Sequence, residues 1–334
     1  MESGRDFVRA TDSLNVLMSF WRNQKIRGWL YQLAALLLVV LCVAILADNT
    51  LENMRTRGIQ SGFGFLLQPA GFDISESLFG FESTQPYWKA FLTGLGNTLK
   101  VALIGIILTT ILGVLLGVGR FSQNILIRGL CLMYVEIFRN IPLLLQLLMW
   151  YLLLVEFLPT AREADPFLGM FLTKTGLTLP WFGDMPVKAG FGIKGGINVS
   201  PEFLALLLGL VIYTASYIAE IVRSGIASVS RGQHEAALAL GLSRGQAMRL
   251  IQLPQALRVI IPPLTNQYLN LTKNSSLAVA VGYPDLVSIA NTSINQTGRA
   301  VECIAVIMAV YLTLSLLTSV LMNAYNRRAA IKER

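Results

Sequence analysis

Residues 230–258 read SRGQHEAALALGLSRGQAMRLIQLPQALR, and this stretch carries the clearest local structural signals in the chain. Its composition predicts a helix over Gln233–Leu240 that ends at Gly241, because glycine adopts the left-handed backbone of a helix C-terminus without a Cβ penalty. Ser243, followed three residues later by Gln246, predicts a capping box at the start of a second helix. The stretch therefore predicts a short, rigid pair of helices.

The rest of the chain is too apolar for a soluble domain. Of its 334 residues, 54% are hydrophobic and 14% are charged, and the mean hydropathy is +0.59. About 20 residues at a rise of 1.5 Å cross a bilayer core as a helix, which pairs its own backbone groups. We therefore predict an all-α polytopic membrane protein of six spans: Leu30–Leu46, Val101–Val118, Ile125–Leu158, Phe203–Ile221, Ala256–Val281 and Cys303–Met322.

Two of these spans contain proline and charged residues. Pro142 predicts a kink or break in the third span, and Pro262 and Pro263 interrupt the fifth. Gly113 and Gly117 in the second span have the spacing of a helix-packing motif. Pro254 stands where we expect the second short helix to turn towards the membrane.

The distribution of charge predicts the topology. With the N-terminus inside, the inner segments carry about twice as many Lys and Arg residues as the outer segments, as expected of cytoplasmic flanks. Residues 230–258 and both termini are then cytoplasmic. The formal charge of +8 is explained by anionic lipid, so nucleic acid is not an expected partner.

The spans divide the chain into segments. Residues 1–29 are a cytosolic lead-in, 30–92 hold the first span and an outer segment, 93–328 form a five-helix core, and 329–334 are a cytosolic tail. The core carries an outer insertion at 159–200, expected to be an ordered loop or short hairpin because it lacks a periodic pattern. Both outer segments could meet an external partner. The chain shows no internal repeat, so a symmetric pore requires oligomerisation.

The sequence offers no catalytic or metal site. Cys42, Cys131 and Cys303 fall in predicted spans without metal-ligand spacing, and His234 is the only histidine. There is no GxxxxGK[ST] phosphate-binding motif. We expect no enzyme activity, no metal and no cofactor in this chain.

Residues 235–254 resemble the EAA loop of ABC importer permeases at every specified position and spacing. Small residues on the first helix let a partner's backbone approach closely, and Glu235 supplies a charge that sets the register of that contact. We expect the following residues to couple the chain to an ATPase: Glu235, Ala236, Ala237, Leu238, Gly241, Ile251, Leu253 and Pro254. The small-residue face comprises Ala236, Ala237, Ala239 and Gly241.

Three further stretches resemble the polar amino-acid branch of these permeases: VEIFRNIPLLLQL from Val135, SYIAEIVRSGIASVSRGQHEAA from Ser216 and LTKNSSLAVAVGYPDL from Leu271. The N-terminal extension and the outer insertions resemble the longer permease of general L-amino-acid transporters. The resemblance implies a type I importer permease fold in the bacterial inner membrane. It also implies a second permease or a second copy, a periplasmic amino-acid-binding protein, and two cytosolic ATPases that bind ATP and Mg.

Ionisable residues inside spans are costly and are candidates for the substrate path or gate. Glu136 and Arg139 are one helix turn apart and could pair. Lys273 could meet a substrate carboxylate, or pair with Glu136, Glu220 or Asp285. The candidates are Glu136, Arg139, Asn140, Glu220, Lys273, Asn274, Ser275 and Ser276. An alternative function is a secondary transporter or channel that uses these Glu and Lys residues, but it gives no reason for an EAA-type loop.

Overall fold

The structure is a computed structural model that describes residues 24–56, 58, 61–78, 80–190 and 192–329. The predicted lead-in up to residue 23 and the tail from residue 330 lie outside the described residues. The chain divides into two units, Met1–Ser61 and Gly62–Arg334. The helices are α1 (Gln24–Thr56), α2 (Tyr87–Gly119), α3 (Ile125–Asn140), α4 (Leu143–Leu152), α5 (Pro201–Ala227), α6 (Arg231–Ala239), α7 (Arg244–Ala247), α8 (Leu253–Asn274), α9 (Leu286–Thr297) and α10 (Ala300–Ala329).

In the described part of the chain, four helices are long and apolar enough to cross a membrane: α1, α2, α5 and α10. A fifth crossing is possible if α3 and the segment Leu143–Phe157 form one broken span, which is bent by 104°. That bend confirms the predicted break at Pro142.

The predicted span Ala256–Val281 differs from the other five. It forms α8 followed by a 3₁₀ turn at Ser275–Ala280. It is not among the described helices that are long and apolar enough to cross a membrane. Pro262, Pro263 and Lys273 lie inside α8 and lower its hydropathy. The structure thus supports up to five of the six predicted spans by this criterion.

Helices α2 and α5 form the centre of the second unit. A Cβ atom at Gly113 would lie 2.6 Å from the Ile218 side chain, and one at Gly117 would lie 2.7 Å from the Val222 side chain. Since such distances are shorter than real side-chain contacts, the two glycines permit the close approach of α5. The predicted packing role of this pair is confirmed.

The outer insertion contains short hairpins, which confirms the expected hairpin, and a further strand that the sequence did not indicate. β1 (Phe171–Thr173), β2 (Gly176–Leu179) and β5 (Ile197–Val199) form an antiparallel sheet in the order β1-β2-β5, and β3 (Val187–Ala189) pairs with β4 (Gly192–Lys194). The fold is therefore mainly helical, as predicted, with a small β subdomain in residues 159–200. Strands of three or four residues are too short to show an alternating apolar pattern.

The outer segment before α2 is folded against the helical core. The Phe65 ring packs edge-on against Tyr87 at a centroid distance of 5.4 Å, and the Tyr87 hydroxyl lies 3.0 Å from Gln296 Oε1. The Glu76 carboxylate lies 2.5 Å from Lys100 Nζ and accepts a 2.7 Å hydrogen bond from Ser200. This segment thereby links the N-terminal ends of α2 and α5 to the C-terminal end of α9.

Candidate functional site: the inner loop and the charged residues of the spans

The loop at residues 230–258, the predicted inner loop, consists of two helices joined at a glycine. Helix α6 ends with the Leu242 N–H donating to the Ala237 carbonyl at 3.1 Å and the Gly241 N–H donating to the Leu238 carbonyl at 2.9 Å. Gly241 has a φ of +83°. These two bonds and the left-handed glycine define a Schellman motif, which pairs the last carbonyls of the helix. The predicted helix end at Gly241 is confirmed.

The second helix begins with the predicted capping box. The Gln246 N–H donates to Ser243 Oγ at 3.3 Å, and the Ser243 N–H donates to Gln246 Oε1 at 2.9 Å. The helix then continues through a π turn at Met248–Gln252 into α8. The Leu253 N–H reaches back five residues to the Met248 carbonyl, and Pro254 follows as the second residue of α8, where a proline is tolerated. The expected turn of the helix at Pro254 stays a prediction.

The exposed face of the loop differs from the predicted one. Ala237 is 3% exposed and packs inwards, whereas Glu235, Ala236, Ala239 and Gly241 are exposed. Ala237 is thus a support of the loop and cannot be part of its outer face. Leu240, which the sequence analysis did not single out, is 83% exposed at the tip.

The remaining predicted coupling residues surround this tip. Leu238 is 38% exposed, Ile251 and Leu253 are half-buried, and Pro254 is exposed. The side chain of His234 lies outside the described residues. The loop therefore presents a carboxylate, small residues and one large apolar side chain on a locally rigid scaffold.

Glu220 belongs to an ion cluster near the inner end of α5. Its Oε1 accepts from Arg223 Nη2 at 2.5 Å and Arg223 Nε at 3.0 Å, and its Oε2 accepts from Arg120 Nη1. Because Arg120 directly follows α2, the carboxylate joins α2 to α5. Glu220 is thereby occupied by two structural partners and is a weak candidate for contact with substrate.

Glu136 and Arg139 do not pair as the sequence suggested. Within the described residues no ion pair joins them; the Arg139 guanidinium lies over the Tyr217 ring at 5.3 Å. Asn140 Nδ2 donates to the Glu136 carbonyl at 2.6 Å. The Tyr217 hydroxyl lies 3.1 Å from that of Tyr213. Arg139 therefore presents its charge beside two tyrosines of α5, a polar and aromatic face that single-helix spacing could not reveal.

The break between α3 and α4 is stabilised by a buried amide. Gln146 is 1% exposed, and its Nε2 donates to the carbonyls of Phe138 and Ile141, both at 2.9 Å. These carbonyls lie on the N-terminal side of the break, where helix hydrogen bonding stops. Gln146 is a functional candidate that sequence reasoning missed, although an amide four residues after an intramembrane proline was a usable signal.

Lys273 is exposed and lines a cavity of about 390 Å³. In the part of the chain that the structure describes, it forms no ion pair with Glu136, Glu220 or Asp285. The cavity also contains Ser276, whose hydroxyl donates to the Lys273 carbonyl at 2.7 Å. The other lining residues are Val287, Ile307, Tyr311, Leu312 and Ser315.

The candidate residues next to Lys273 in the sequence do not all line this cavity. Ser275 is fully buried and donates to the Thr272 carbonyl at 2.7 Å, and Asn274 is half-buried. Asp285 caps α9 by accepting from the Ser288 N–H at 2.8 Å, and burial raises the pKa of its carboxyl to about 7. Of the four-residue run Lys273 to Ser276, only its two end residues face the cavity.

A second cavity, of about 580 Å³, lies beneath the inner loop. Arg231, Glu235 and Arg244 line it, together with Phe121 from the connection between α2 and α3. Glu235 thus stands at the boundary between the exposed loop and the helical core. Among the described residues, no three His, Cys, Asp or Glu side chains come close enough to hold a metal ion.

Residues 89–331 match the family described as binding-protein-dependent transport system inner membrane component. The chain belongs to this family. It is 42% identical to YhdX of Escherichia coli (strain K12), a putative amino-acid ABC transporter permease protein, over 93% of this chain and 96% of that protein. It is also 42% identical to AapQ of Rhizobium johnstonii, a general L-amino acid transport system permease protein, over 93% and 94% of the two chains.

The fold is also similar to that of a solved transporter. A crystal structure of an amino acid ABC transporter with histidines aligns with a TM-score of 0.57 and 29% sequence identity, over 72% of this chain and 95% of that one. Family membership identifies the chain as an inner-membrane component of a transport system. It favours the importer permease over the secondary transporter or channel.

Proposed function

We propose that this chain is a permease subunit of an ABC importer for L-amino acids. The two relatives that match nearly its whole length are both described as amino-acid permeases. ATP hydrolysis is then carried by separate cytosolic ATPases that bind ATP and Mg, and a second permease or a second copy completes the translocation path. The N-terminus and the inner loop are cytoplasmic, in line with the distribution of Lys and Arg.

The inner loop is the proposed ATPase-docking element, and one observation carries this proposal. The Schellman motif at Gly241 and the capping box at Ser243 fix the ends of α6 and α7 by local hydrogen bonds, while Glu235 and Leu240 remain exposed. A short rigid helix pair with an exposed charge and an apolar tip suits insertion into a groove of a partner. Such a contact transmits rigid-body motion to the helices beside it.

Substitutions of Gly241 test this proposal. A Cβ atom there would meet nothing within 4 Å, so a side chain acts only through the backbone. Gly241→Val forces a β-branched residue into the left-handed region at a cost of about 1–2 kcal/mol, whereas Gly241→Asn is tolerated there. After co-expression with a candidate ATPase subunit, we expect co-purification of the ATPase to fall roughly tenfold with valine and to persist with asparagine.

Two results would contradict docking at this loop. One is equal retention of the ATPase by wild type, Gly241→Val and Gly241→Asn when all three are folded. The other is a wild-type chain that retains no ATPase under any condition, which would reopen the secondary-transporter alternative.

The substrate path is proposed to pass Lys273 and the Arg139–Tyr217 face. Two cations exposed on this chain suit the α-carboxylate of an amino acid, and Lys273 opens onto a cavity while lacking an ion pair in the described residues. Glu136, Asn140 and Ser276 are secondary candidates beside them.

Substitutions of Lys273 test the proposed substrate path independently of the proposed ATPase docking. We expect Lys273→Ala to abolish ATP-driven amino-acid uptake by the reconstituted complex without loss of the ATPase, and Lys273→Arg to retain part of it because the charge remains. Uptake by the alanine variant at the wild-type rate would remove Lys273 from the path.

We further propose that the outer insertion contacts a periplasmic amino-acid-binding protein. Two hairpin tips on it, Phe167–Met170 and Trp181–Asp184, expose large apolar residues. Leu168 is 80% exposed and Phe182 is 93% exposed. The tips are neighbours, because a Cβ atom at Gly169 would lie 3.8 Å from the Met185 side chain. Contiguous exposed apolar residues are typical of protein-contact surfaces.

A further inference from the structure

A basic cavity lies where the inner ends of α2, α3 and α5 meet. Its volume is about 460 Å³, and none of the residues proposed to couple to the ATPase or to touch substrate lines it. Three arginines, one from each of these regions of the chain, share it with apolar residues. The lining residues are Arg120, Phe121, Ile125, Arg128, Gly129, Leu132 and Arg223.

The cavity has an excess of positive charge. Glu220 binds Arg120 and Arg223 and so compensates for one of the two. Arg128 is exposed and, within the described residues, has no ion pair and no side-chain hydrogen bond. The site therefore has a net charge of about +2, and one guanidinium retains its full set of donors for an anion.

The apolar part of the cavity lies along one face of α3. Ile125 and Leu132 are about two helical turns apart and are 72% and 44% exposed, and Arg128 stands between them. Gly129 has no side chain to fill the space there, and a Cβ atom at this position would meet nothing within 4 Å. The surface thus offers a cation flanked by apolar side chains, which suits an amphiphile better than a fully hydrated anion.

We infer that this cavity binds the phosphate headgroup of an anionic phospholipid from the inner leaflet. Arg128 is the principal donor, Arg120 and Arg223 supply the remaining positive field, and Ile125 and Leu132 contact the glycerol and upper acyl chains. Basic pockets between membrane helices on the cytoplasmic side are suited to such headgroups. The inference rests on the orientation given under the proposed function, which puts these helix ends on the cytoplasmic side.

The position of the cavity links lipid to the inner loop. Phe121 lines both this cavity and the 580 Å³ cavity beneath the loop, where Glu235 also lies. A headgroup bound in the 460 Å³ cavity would therefore contact Phe121, which lies between this cavity and the proposed docking loop.

Native mass spectrometry of the full chain in detergent tests the site, with phosphatidylglycerol as the probe and phosphatidylcholine as the neutral lipid. We expect the wild type to retain phosphatidylglycerol in preference to phosphatidylcholine. Arg128→Gln should weaken that retention roughly fivefold, the factor for one basic residue near a lipid surface. Arg258→Gln is the matched control: it removes the same charge from an exposed residue on the same side but outside the cavity, and retention should be unchanged.

Three outcomes would overturn the inference. Inorganic phosphate that displaces phosphatidylglycerol at equal concentration would mean a site for a soluble anion. Equal losses with Arg128→Gln and Arg258→Gln would mean unspecific attraction to charge. If Arg128→Gln keeps the lipid but loses the ATPase, the cavity receives an acidic surface of the ATPase. The Gly241 variants decide the docking proposal independently, so the two failures can be told apart.

Discussion

The inner loop and the outer insertion differ in how well their residues suit the backbone conformations that they adopt. In the loop, glycine stands at the left-handed position and a Ser-Gln pair forms the cap, as residue propensities favour. In the insertion, Leu168 and Phe182 occupy left-handed positions with φ of +52° and +26°, where apolar residues are disfavoured. Each is followed by a glycine of positive φ in a two-residue turn.

The residues at the two turns of the insertion are not those that stabilise such turns. A turn of this kind is most stable with Asn-Gly or Asp-Gly, so an exposed leucine and an exposed phenylalanine at the first position lower stability. Sites at which local rules are broken are often functional ones. The two tips therefore lower the stability of the chain, and the proposed contact with a binding protein would explain their residues. In the inner loop, the residues that make it rigid are also those of the proposed docking element.

The largest effect is expected at the two hairpin tips of the outer insertion. Replacing the apolar residues at their left-handed positions should raise the stability of the chain. Leu168→Asn combined with Phe182→Asn relieves two unfavourable backbone conformations, each costing about 1–2 kcal/mol. The midpoint of thermal unfolding of the detergent-solubilised chain should rise. Leu172→Asn is the control, because it exposes the same amide on strand β1 without a left-handed backbone, and it should give no rise. A fall in the midpoint for the double variant would show that the tips are not strained.

A smaller effect of opposite sign is expected at the inner loop. Ser243→Ala removes the side-chain acceptor of the Gln246 N–H and should cost about 1 kcal/mol, confined to α7. Ser230→Ala is a close control, since Ser230 is the N-cap of α6 but makes no cap hydrogen bond. Amide hydrogen exchange over residues 244–247 should quicken in the first variant alone. Equal exchange in both variants would show that the capping box contributes nothing.

The features that were predicted correctly from the sequence are those that neighbouring residues determine. The end of α6, the capping box and the break at Pro142 depend on residues within a few positions of each other, so spacing was sufficient. The family resemblance also rested on fixed spacing, and it is confirmed by the match over residues 89–331.

The features that sequence missed depend on contacts between distant segments. Ala237 was assigned to an outer face because small residues suit a partner's approach, but they suit inward packing equally. The spacing of Arg139 and Glu136 on one helix allows a pair, yet the contact of Arg139 is Tyr217 on another helix. Glu76, Lys100 and Ser200 meet at the outer side from three separate segments. No local pattern distinguishes these outcomes.

The continuity of α7, the π turn and α8 has a mechanical consequence. From Arg244 to Asn274 the backbone is helical without interruption, a length of about 45 Å at 1.5 Å per residue. Lys273 lies at the far end of this helical segment, which begins inside the proposed docking loop. Under the proposed docking, a displacement of Arg244 by the ATPase would be passed along one continuous segment, through the π turn and the Pro262–Pro263 pair, to Lys273.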